Sequence, residues 1–408
     1  MFRSLRTAVT GLKTHQTRMD VVGNNIANVN TIAFKRGRAN FNEVLGQTLF
    51  SSSRAAGGHG VNTSYIGFGV GVGAIDQNWN QGSLENTTLA TDLALNGDGF
   101  FVVNNGGRDM LTRNGNFTFD NKGNLVTQSG LKAQGYTFDA QGNVDTSAIK
   151  DINIDFSLQA DPKVSENVGV SGNLPADAAT GDEVNISTVI YDEQGQSHGV
   201  TMMFTKTANA DEWSYEAKYN GTLTPPPFST VSGTLTFGVD GKLATPPTVA
   251  PSYDTGYVGD GRSFDIDIGS LTQFSGSTTA AVQSQDGYGS GEVVGYFIDS
   301  DGTISLNFSN GEQAPLYQMA VATVKNPNGL ENLGESFYGL TSESGDPILG
   351  RAGQEVQTAV VQGFLEMSNV DLATEFTDMI VAQRGYQASA RVITTSDEML
   401  QETVNLKR

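Results

Sequence analysis

Side chains able to do catalytic chemistry are sparse in this chain. Its three histidines, His15, His59 and His198, lie far apart, and no HExxH pair exists, so a zinc site is not expected. It has no cysteine, which removes disulfides, thiolate metal sites and cysteine nucleophiles. The phosphate-cradling P-loop pattern does not occur, and no GxSxG match opens a strand-to-helix nucleophile elbow, because the one at Gly195-Gln196-Ser197-His198-Gly199 falls within a hairpin-like stretch, 187–206. The run Gly67, Gly69, Gly71, Gly73 invites a dinucleotide reading. The third glycine of GxGxxG would fall on Val72, Ala74 or Asp76, so no frame fits. Asp299-Ser300-Asp301-Gly302 has the opening spacing of a calcium loop. Asn310 stands where the bidentate Glu is needed, and a hairpin turn is the better reading. Carboxylates are scattered, and no pair is singled out for glycoside chemistry. No catalytic residue, metal ligand or cofactor is expected.

What remains is a chain built to hold shape. Its 408 residues suggest two to four domains. Glycine is about 12% of the chain against a usual value near 7%, and charged residues are 17% against about 25%. Asn, Thr, Ser and Gln fill the gap. Net charge is -20, unevenly placed. Residues 1–54 hold eight Lys/Arg and two Asp/Glu, while residues 365–408 hold four and seven. The remaining -23 lies in 55–364, and such an acidic body repels nucleic acid. The start lacks the apolar stretch of a cleavable signal, and no run is long enough to span a bilayer.

Both ends carry helical periodicity. Leu5, Val9, Leu12, Gln16, Met19, Gly23 and Ile26 follow 4-3 spacing, five of the seven apolar. Asn24, Asn25 and Asn28 favour termination. Near the other end Leu372, Phe376, Met379, Gln383, Tyr386, Ala390, Ile393, Asp397, Leu400 and Val404 keep the same spacing. Asn369 or Asp371 is suited to cap that helix. Burying each Leu- or Phe-sized side chain contributes roughly 1.5–3 kcal/mol, so these stripes call for an apolar partner. Coiled-coil pairing, within or between subunits, supplies one.

Between the ends the period falls to 2. Phe117 and Phe119 alternate before Asn121-Lys122-Gly123, and Ile304, Leu306 and Phe308 lie between Asp301-Gly302 and Asn310-Gly311. Further turn pairs recur at Asn96-Gly97, Asn105-Gly106, Asn114-Gly115, Asn220-Gly221 and Asp240-Gly241, and 187–206 reads as a hairpin around Asp192–Gly195. The middle therefore reads as antiparallel β. Pro225–Pro227, Pro246-Pro247 and Pro251 mark loop-rich sequence inside it. The expected fold is mainly β with α-helical termini, with nested β domains inserted between N- and C-terminal coiled-coil helices. Residues 1–69 would be the N-terminal helix and a connector, and 70–150 the first part of an inner β domain. An outer β domain, 151–288, would be inserted before the second inner part, 289–364, and the C-terminal helix, 365–408.

The two ends also carry recognisable motifs. Met1-Phe2-Arg3-Ser4-Leu5 through Met19-Asp20-Val21-Val22-Gly23-Asn24-Asn25-Ile26-Ala27-Asn28 resembles the N-terminal signature of flagellar rod and hook proteins. Thr31-Ile32-Ala33-Phe34-Lys35 is similar to the family's T-x-G-F-K, with Ala33 in place of glycine. Ser368-Asn369-Val370-Asp371-Leu372 through Met379-Ile380-Val381-Ala382-Gln383-Arg384-Gly385-Tyr386-Gln387-Ala388 resembles the matching C-terminal signature. Asn96-Gly97-Asp98-Gly99-Phe100-Phe101 and Thr112-Arg113-Asn114-Gly115-Asn116-Phe117 are similar to the inner β domain. The stretch 190–198 and the 151–288 insertion resemble the hook branch more than the shorter distal rod subunits. A secreted β-rich binding module or adhesin would explain the polar β body, but not two terminal heptad patterns.

The resemblance implies a structural subunit that polymerises into a curved hollow tube outside the cell, a universal joint passing torque from rod to filament. It implies self-association, contact with the hook cap, hook–filament junction proteins and distal rod, and export through the flagellar type III apparatus without a cleaved signal. It implies no nucleic acid and no membrane insertion. Phe41-Asn42-Glu43-Val44-Leu45 is similar to the family's export motif, carried by Phe41 and Leu45. Some spirochaete hooks cross-link through cysteine, a chemistry excluded here. The assembly interface would be Leu5, Val9, Leu12, Met19 and Ile26 with Leu372, Phe376, Met379, Tyr386, Ala390, Ile393, Leu400 and Val404. Phe376→Asp or Ile393→Asp is expected to abolish polymerisation while the β body stays folded. Sedimentation beside circular dichroism checks this; a variant that polymerises normally removes the seam from the argument.

Overall fold

The computed structural model describes residues 2–50, 53–54, 60–61, 63–139, 142–220, 230–244, 248–249 and 264–405. His59, Gly221, Pro225–Pro227, Pro246-Pro247 and Pro251 lie outside the described residues. The chain divides into two compact units, one of residues 1–155, 297–305 and 315–408, the other of 156–296 and 306–314. The architecture is mainly β with a helix at each end, in line with the sequence expectation.

In the first unit, helix α1 spans Phe2–Ala27 and helix α2 spans Leu372–Asn405. α1 ends where Asn28 turns its carboxamide back onto the Asn24 carbonyl, at 2.9 Å, and competes with the helical ladder. α2 starts on Asp371. Its Oδ1 accepts the Ala373 N–H at 3.0 Å and its Oδ2 the Thr374 hydroxyl at 2.7 Å, an N-cap that also lowers its pKa. Asn369, the other possible cap, is used elsewhere.

The polar stretch 30–65, expected to be a connector, instead carries much of a β arm. Gly37–Glu43 pairs antiparallel with Val70–Gln77, and Gln47–Phe50 with Ser64–Ile66. Residues on both sides of position 69 thus belong to one hairpin. Its periodicity is weak because the arm packs on a helix face rather than over a sheet core. The Gly-rich run has a steric purpose here. Gly69 has φ +111°, and a Cβ on it would strike the Thr10 hydroxyl of α1, so only glycine lets the arm approach.

The inner β fold follows. Phe100–Asn104 and Asp109–Thr112 form a hairpin that continues to Phe337–Gly339, and Lys132–Phe138 joins on the other side. Leu93–Gly97 pairs with Thr358–Gln362 and Leu84–Asn86 with Phe364–Glu366, so the chain before the domain pairs with the chain after it in two short ladders. Phe117–Phe119 pairs with Leu125–Thr127 across the predicted turn. Phe100, Val102, Leu111, Tyr136, Ala320, Ala322 and Tyr338 make a core, with Trp79 edge-on to Phe100 and Tyr338.

The second unit holds two four-stranded sheets. One is the meander Glu183–Tyr191, Ser197–Lys206, Glu212–Tyr219 and Val231–Thr236, with the expected turn at Asp192–Gly195. In the other, Asn167–Pro175 lies parallel to Asp265–Phe274, which corrects the all-antiparallel expectation. A parallel pair needs a long crossover, and the meander inserted between those strands supplies it. Trp213, Phe204, Phe264, Val168 and Ile186 share one buried core drawn from both sheets.

Arg351 and Glu355 close the turn after strand Ile348–Arg351. The Arg351 Nε–H bonds the Glu355 carboxylate at 3.1 and 3.2 Å, and the Arg351 backbone N–H adds a bond at 2.9 Å. These bonds, the side-chain one foremost, hold the Glu355 pKa down at about 2, from 4.5. Such a depressed carboxyl contributes stability above about pH 4.5 and loses it as pH falls through about 2. The site is half-exposed, so the contribution is small. A carboxyl NMR titration is expected to give Glu355 the lower midpoint. Glu355→Gln is expected to flatten stability against pH across that window.

Candidate assembly site at the paired termini

α1 and α2 run antiparallel. Gly11 faces Ser389, where an added Cβ would sit 2.9 Å from the Ser389 hydroxyl, and Gly385 lies under the His15 ring with no room for a Cβ. Apart from Val22, the buried positions along the pair are small or polar: Ala8, Gly11, Thr14 and Asn25 on α1, Glu375, Ala382 and Ser396 on α2. Small residues let the two backbones approach. The β arm covers another flank of α1, with Phe41 edge-on to His15 at 6.1 Å. Burial, and then the Arg18 charge, push the His15 pKa down.

A polar clasp closes the pair at the end away from the chain termini. The Asn25 carboxamide donates to the Gly37 carbonyl at 2.8 Å and to Glu375 Oε2 at 3.1 Å, and accepts the Gly37 N–H at 2.9 Å. Arg36 pairs with Glu375 and, at 3.0 Å, with Asp378, which also binds Arg18 at 2.8 Å. Asn369 accepts the Arg36 N–H at 2.8 Å and donates to the Asn78 and Asn80 carbonyls, both at 2.8 Å.

Beneath the clasp lies a buried ion triad. Glu366, fully buried, binds Lys35 Nζ at 2.6 Å, Arg113 at 3.2 Å and the Gly82 N–H at 2.8 Å. Lys35 also donates to the Asn80 carbonyl at 3.0 Å, and Arg113 to the Gly97 carbonyl at 2.8 Å. One carboxylate therefore joins the N-terminal segment, the inner β fold and the start of α2. Burial lowers the Lys35 pKa, with Glu366 opposing the shift. Burial first, and Glu366 second, push Tyr338 up to about 12.

Backbone strain gathers beside the triad. The non-glycine residues at positive φ, among those described, are Ala33 (57°), Glu335 (52°) and Ser336 (63°). The Ser336 hydroxyl donates to the Ile32 carbonyl at 3.2 Å, and the Ala33 N–H donates to the Glu366 carbonyl at 2.8 Å. Ala33 thus keeps a left-handed turn at a cost of roughly 1–2 kcal/mol.

The residues expected to form the assembly interface are distributed as follows. Leu5, Leu12, Met19, Ile26, Met379, Ala390, Ile393 and Leu400 are half-buried, while Val9, Leu372, Phe376 (52% exposed), Tyr386 and Val404 (69%) are exposed. The pairing within one chain runs about one position off the apolar stripe, on the small residues. Phe2, Ile380, Val381, Val392 and Met399 extend the exposed apolar surface. Of the export-motif pair, Phe41 is half-buried in the β arm and Leu45 is 88% exposed. The sequence reading missed the triad. Its residues lay inside quoted motifs, but nothing local pairs Lys35 with Glu366.

No group of three or more metal-ligating side chains occurs among the described residues. Asp299–Thr303 is a turn, its ends joined by the Asp299 N–H to the Thr303 carbonyl at 2.9 Å.

Removing the shared carboxylate leaves two buried cations without an anion. Glu366→Ala is expected to cost about 3–5 kcal/mol. Glu216→Ala, breaking the solvated pair with Lys218, is expected to cost at most about 1 kcal/mol. Urea unfolding of the two variants checks the contrast.

Four family models match in sequence order. They are the flagella basal body rod protein (residues 5–35), the flagellar hook protein FlgE/F/G D1 domain (94–173), the flagellar basal body protein FlaE D2 domain (158–288) and the flagellar basal body rod FlgEFG protein C-terminal region (361–406). Flagellar hook protein FlgE of Borreliella burgdorferi is 37% identical, with 100% of both chains covered. Those of Rhizobium meliloti (35%, all of both chains) and Salmonella typhimurium (32%, 99% of this chain and 100% of that one) are also similar. The crystal structure of Helicobacter pylori flagellar hook protein FlgE2 aligns with a TM-score of 0.51. It covers 69% of this chain and 100% of that one at 14% identity, a likeness of fold. With paired terminal helices around nested β domains and relatives matched from end to end, the chain belongs to the flagellar hook protein family.

Proposed function

We propose that this structural hook subunit builds its polymer by division of labour. The paired helices form the continuous inner wall of a hollow tube, and the β domains stand outside it. The observation that carries this is the apolar surface left on the helix pair after intramolecular pairing, with Phe376, Ile380, Val392 and Val404 exposed. Large apolar side chains on a helix face are stable in water only when something covers them, and in a homopolymer the cover is another copy.

The outer domain has a different task. The exposed face of its meander carries Ser187 and Thr201, whose hydroxyls bond each other at 2.9 Å, with Asn220 on Thr201. A mostly polar face, on which Val189 is exposed and Met203 half-buried, makes contacts that exchange at low cost, as a tube needs when it curves while turning. The subunit thus works outside the cell as a torque-passing joint, non-enzymatic, exported through the type III apparatus by way of Phe41 and Leu45. Its neighbours are further copies, the distal rod, the hook cap and the hook–filament junction proteins. The full-length relatives are named hook proteins, which leaves the distal-rod and adhesin readings without support.

Electron microscopy tests the division directly. The full chain in polymerising salt is expected to give curved hollow tubes, residues 70–364 only monomers, and a chain lacking 151–288 straight tubes. Normally curved tubes from the last would refute the sliding role, and polymers from residues 70–364 would refute the helical wall.

A further inference from the structure

We infer that, among the described Asn-Gly pairs, Asn105 is the one at which this protein ages chemically, by spontaneous deamidation. The reaction needs an Asn followed by an unhindered backbone nitrogen, a carboxamide free to rotate and a backbone that can bend. The Gly106 nitrogen attacks Asn105 Cγ, and ammonia leaves to give a succinimide. Water then opens the ring to aspartate or isoaspartate, so the amide becomes an acid at the expense of one water, with no change of oxidation state.

Asn-Gly pairs are abundant here, and the fold protects most of those described. Asn96-Gly97 is locked in a strand ladder, and the Gly97 N–H is held by Gln81. Gly115 is buried, its α-carbon packed on the Leu93 carbonyl, and the Asn114 carboxamide holds the Asn116 N–H at 3.1 Å. Asn310 is tied at both ends, donating to the Gly289 carbonyl at 3.0 Å and accepting the Glu312 N–H at 3.0 Å. Asn328 accepts the Trp79 indole N–H at 2.9 Å within a 3-10 turn. Asn220 is followed by a glycine outside the described residues.

Asn105-Gly106 stands apart. It sits at the tip between strands Phe100–Asn104 and Asp109–Thr112, with residues 105–109 all exposed. The Asn105 backbone N–H bonds the Arg108 carbonyl at 3.2 Å, whereas its carboxamide makes no hydrogen bond. Open space surrounds Gly106, which has φ +73°. One group restrains the reaction: Asn104 Oδ1 accepts the Gly106 N–H at 2.6 Å and the Gly107 N–H at 3.1 Å. Asn104 is therefore a brake, and the rate follows the opening of that bond.

Conversion places a new carboxylate at the hairpin tip, where the Asn105 backbone bonds Arg108, on an already acidic body. Isoaspartate also adds a methylene to the backbone at the hairpin tip, which breaks the turn that sets its register. The test is peptide mapping by mass spectrometry of the full chain incubated at mildly alkaline pH. Asn105 is expected to convert several-fold faster than Asn96, Asn114, Asn310 and Asn328. Asn104→Ala is expected to raise the Asn105 rate several-fold, and Asn104→Ser, which keeps an acceptor, to raise it less. Because unfolding would expose every site, the ratio of Asn105 to the four protected asparagines is the readout. An Asn105 that stays intact, or converts no faster than those four, overturns the inference. So does an Asn104→Ala protein with an unchanged Asn105 rate.

Discussion

The first unit turns on a single buried carboxylate. Among the described residues Glu366 is the one anion bound to the Lys35 and Arg113 side chains, and burying two cations without it is costly. Because the three residues come from three distant parts of the chain, their pairing sets where the N-terminal segment, the inner β fold and α2 meet. Backbone groups complete the coordination, from Asn80, Gly82 and Gly97. The neighbouring strained turns are affordable there because the surrounding bonds over-determine them.

The helix pair depends on that fixed start. Once the clasp holds Asn25 against Glu375, small residues carry the close contact toward the free ends, and the larger apolar side chains turn partly outward. A chain built only to be a stable monomer would do the reverse, burying Phe376 and exposing Ser389. In the proposed polymer the seam trades monomer stability for surface that another copy covers.

Much of this was legible in sequence, for physical reasons. Helices with 4-3 spacing declare themselves because the period is intrinsic to the backbone. The hairpins at 117–127 and 187–206 do so because their turns demand particular residues. The β arm at 37–77 was hidden, since strands packed on a helix lose alternation. The parallel pair of 167–175 with 265–274 was hidden too, because nothing local distinguishes a parallel edge from an antiparallel one. Which face of each helix turns inward was the subtler gap. The heptad stripe points to the strongest apolar surface, whereas the intramolecular contact selected Gly11 and Gly385 for closeness. Ion pairing at Glu366 is non-local by nature. Its partners become readable only once the fold has brought them together.

The separation of Lys35 from Glu366 in sequence has a kinetic consequence. Their bond closes a loop of 331 residues. For a flexible chain, the entropy of joining such ends is on the order of 5 kcal/mol, growing as the logarithm of loop length. Folding of the intervening β domains shortens the effective loop and removes most of that cost in advance. Closing the Lys35–Glu366 ring therefore costs least once the body between its ends has formed.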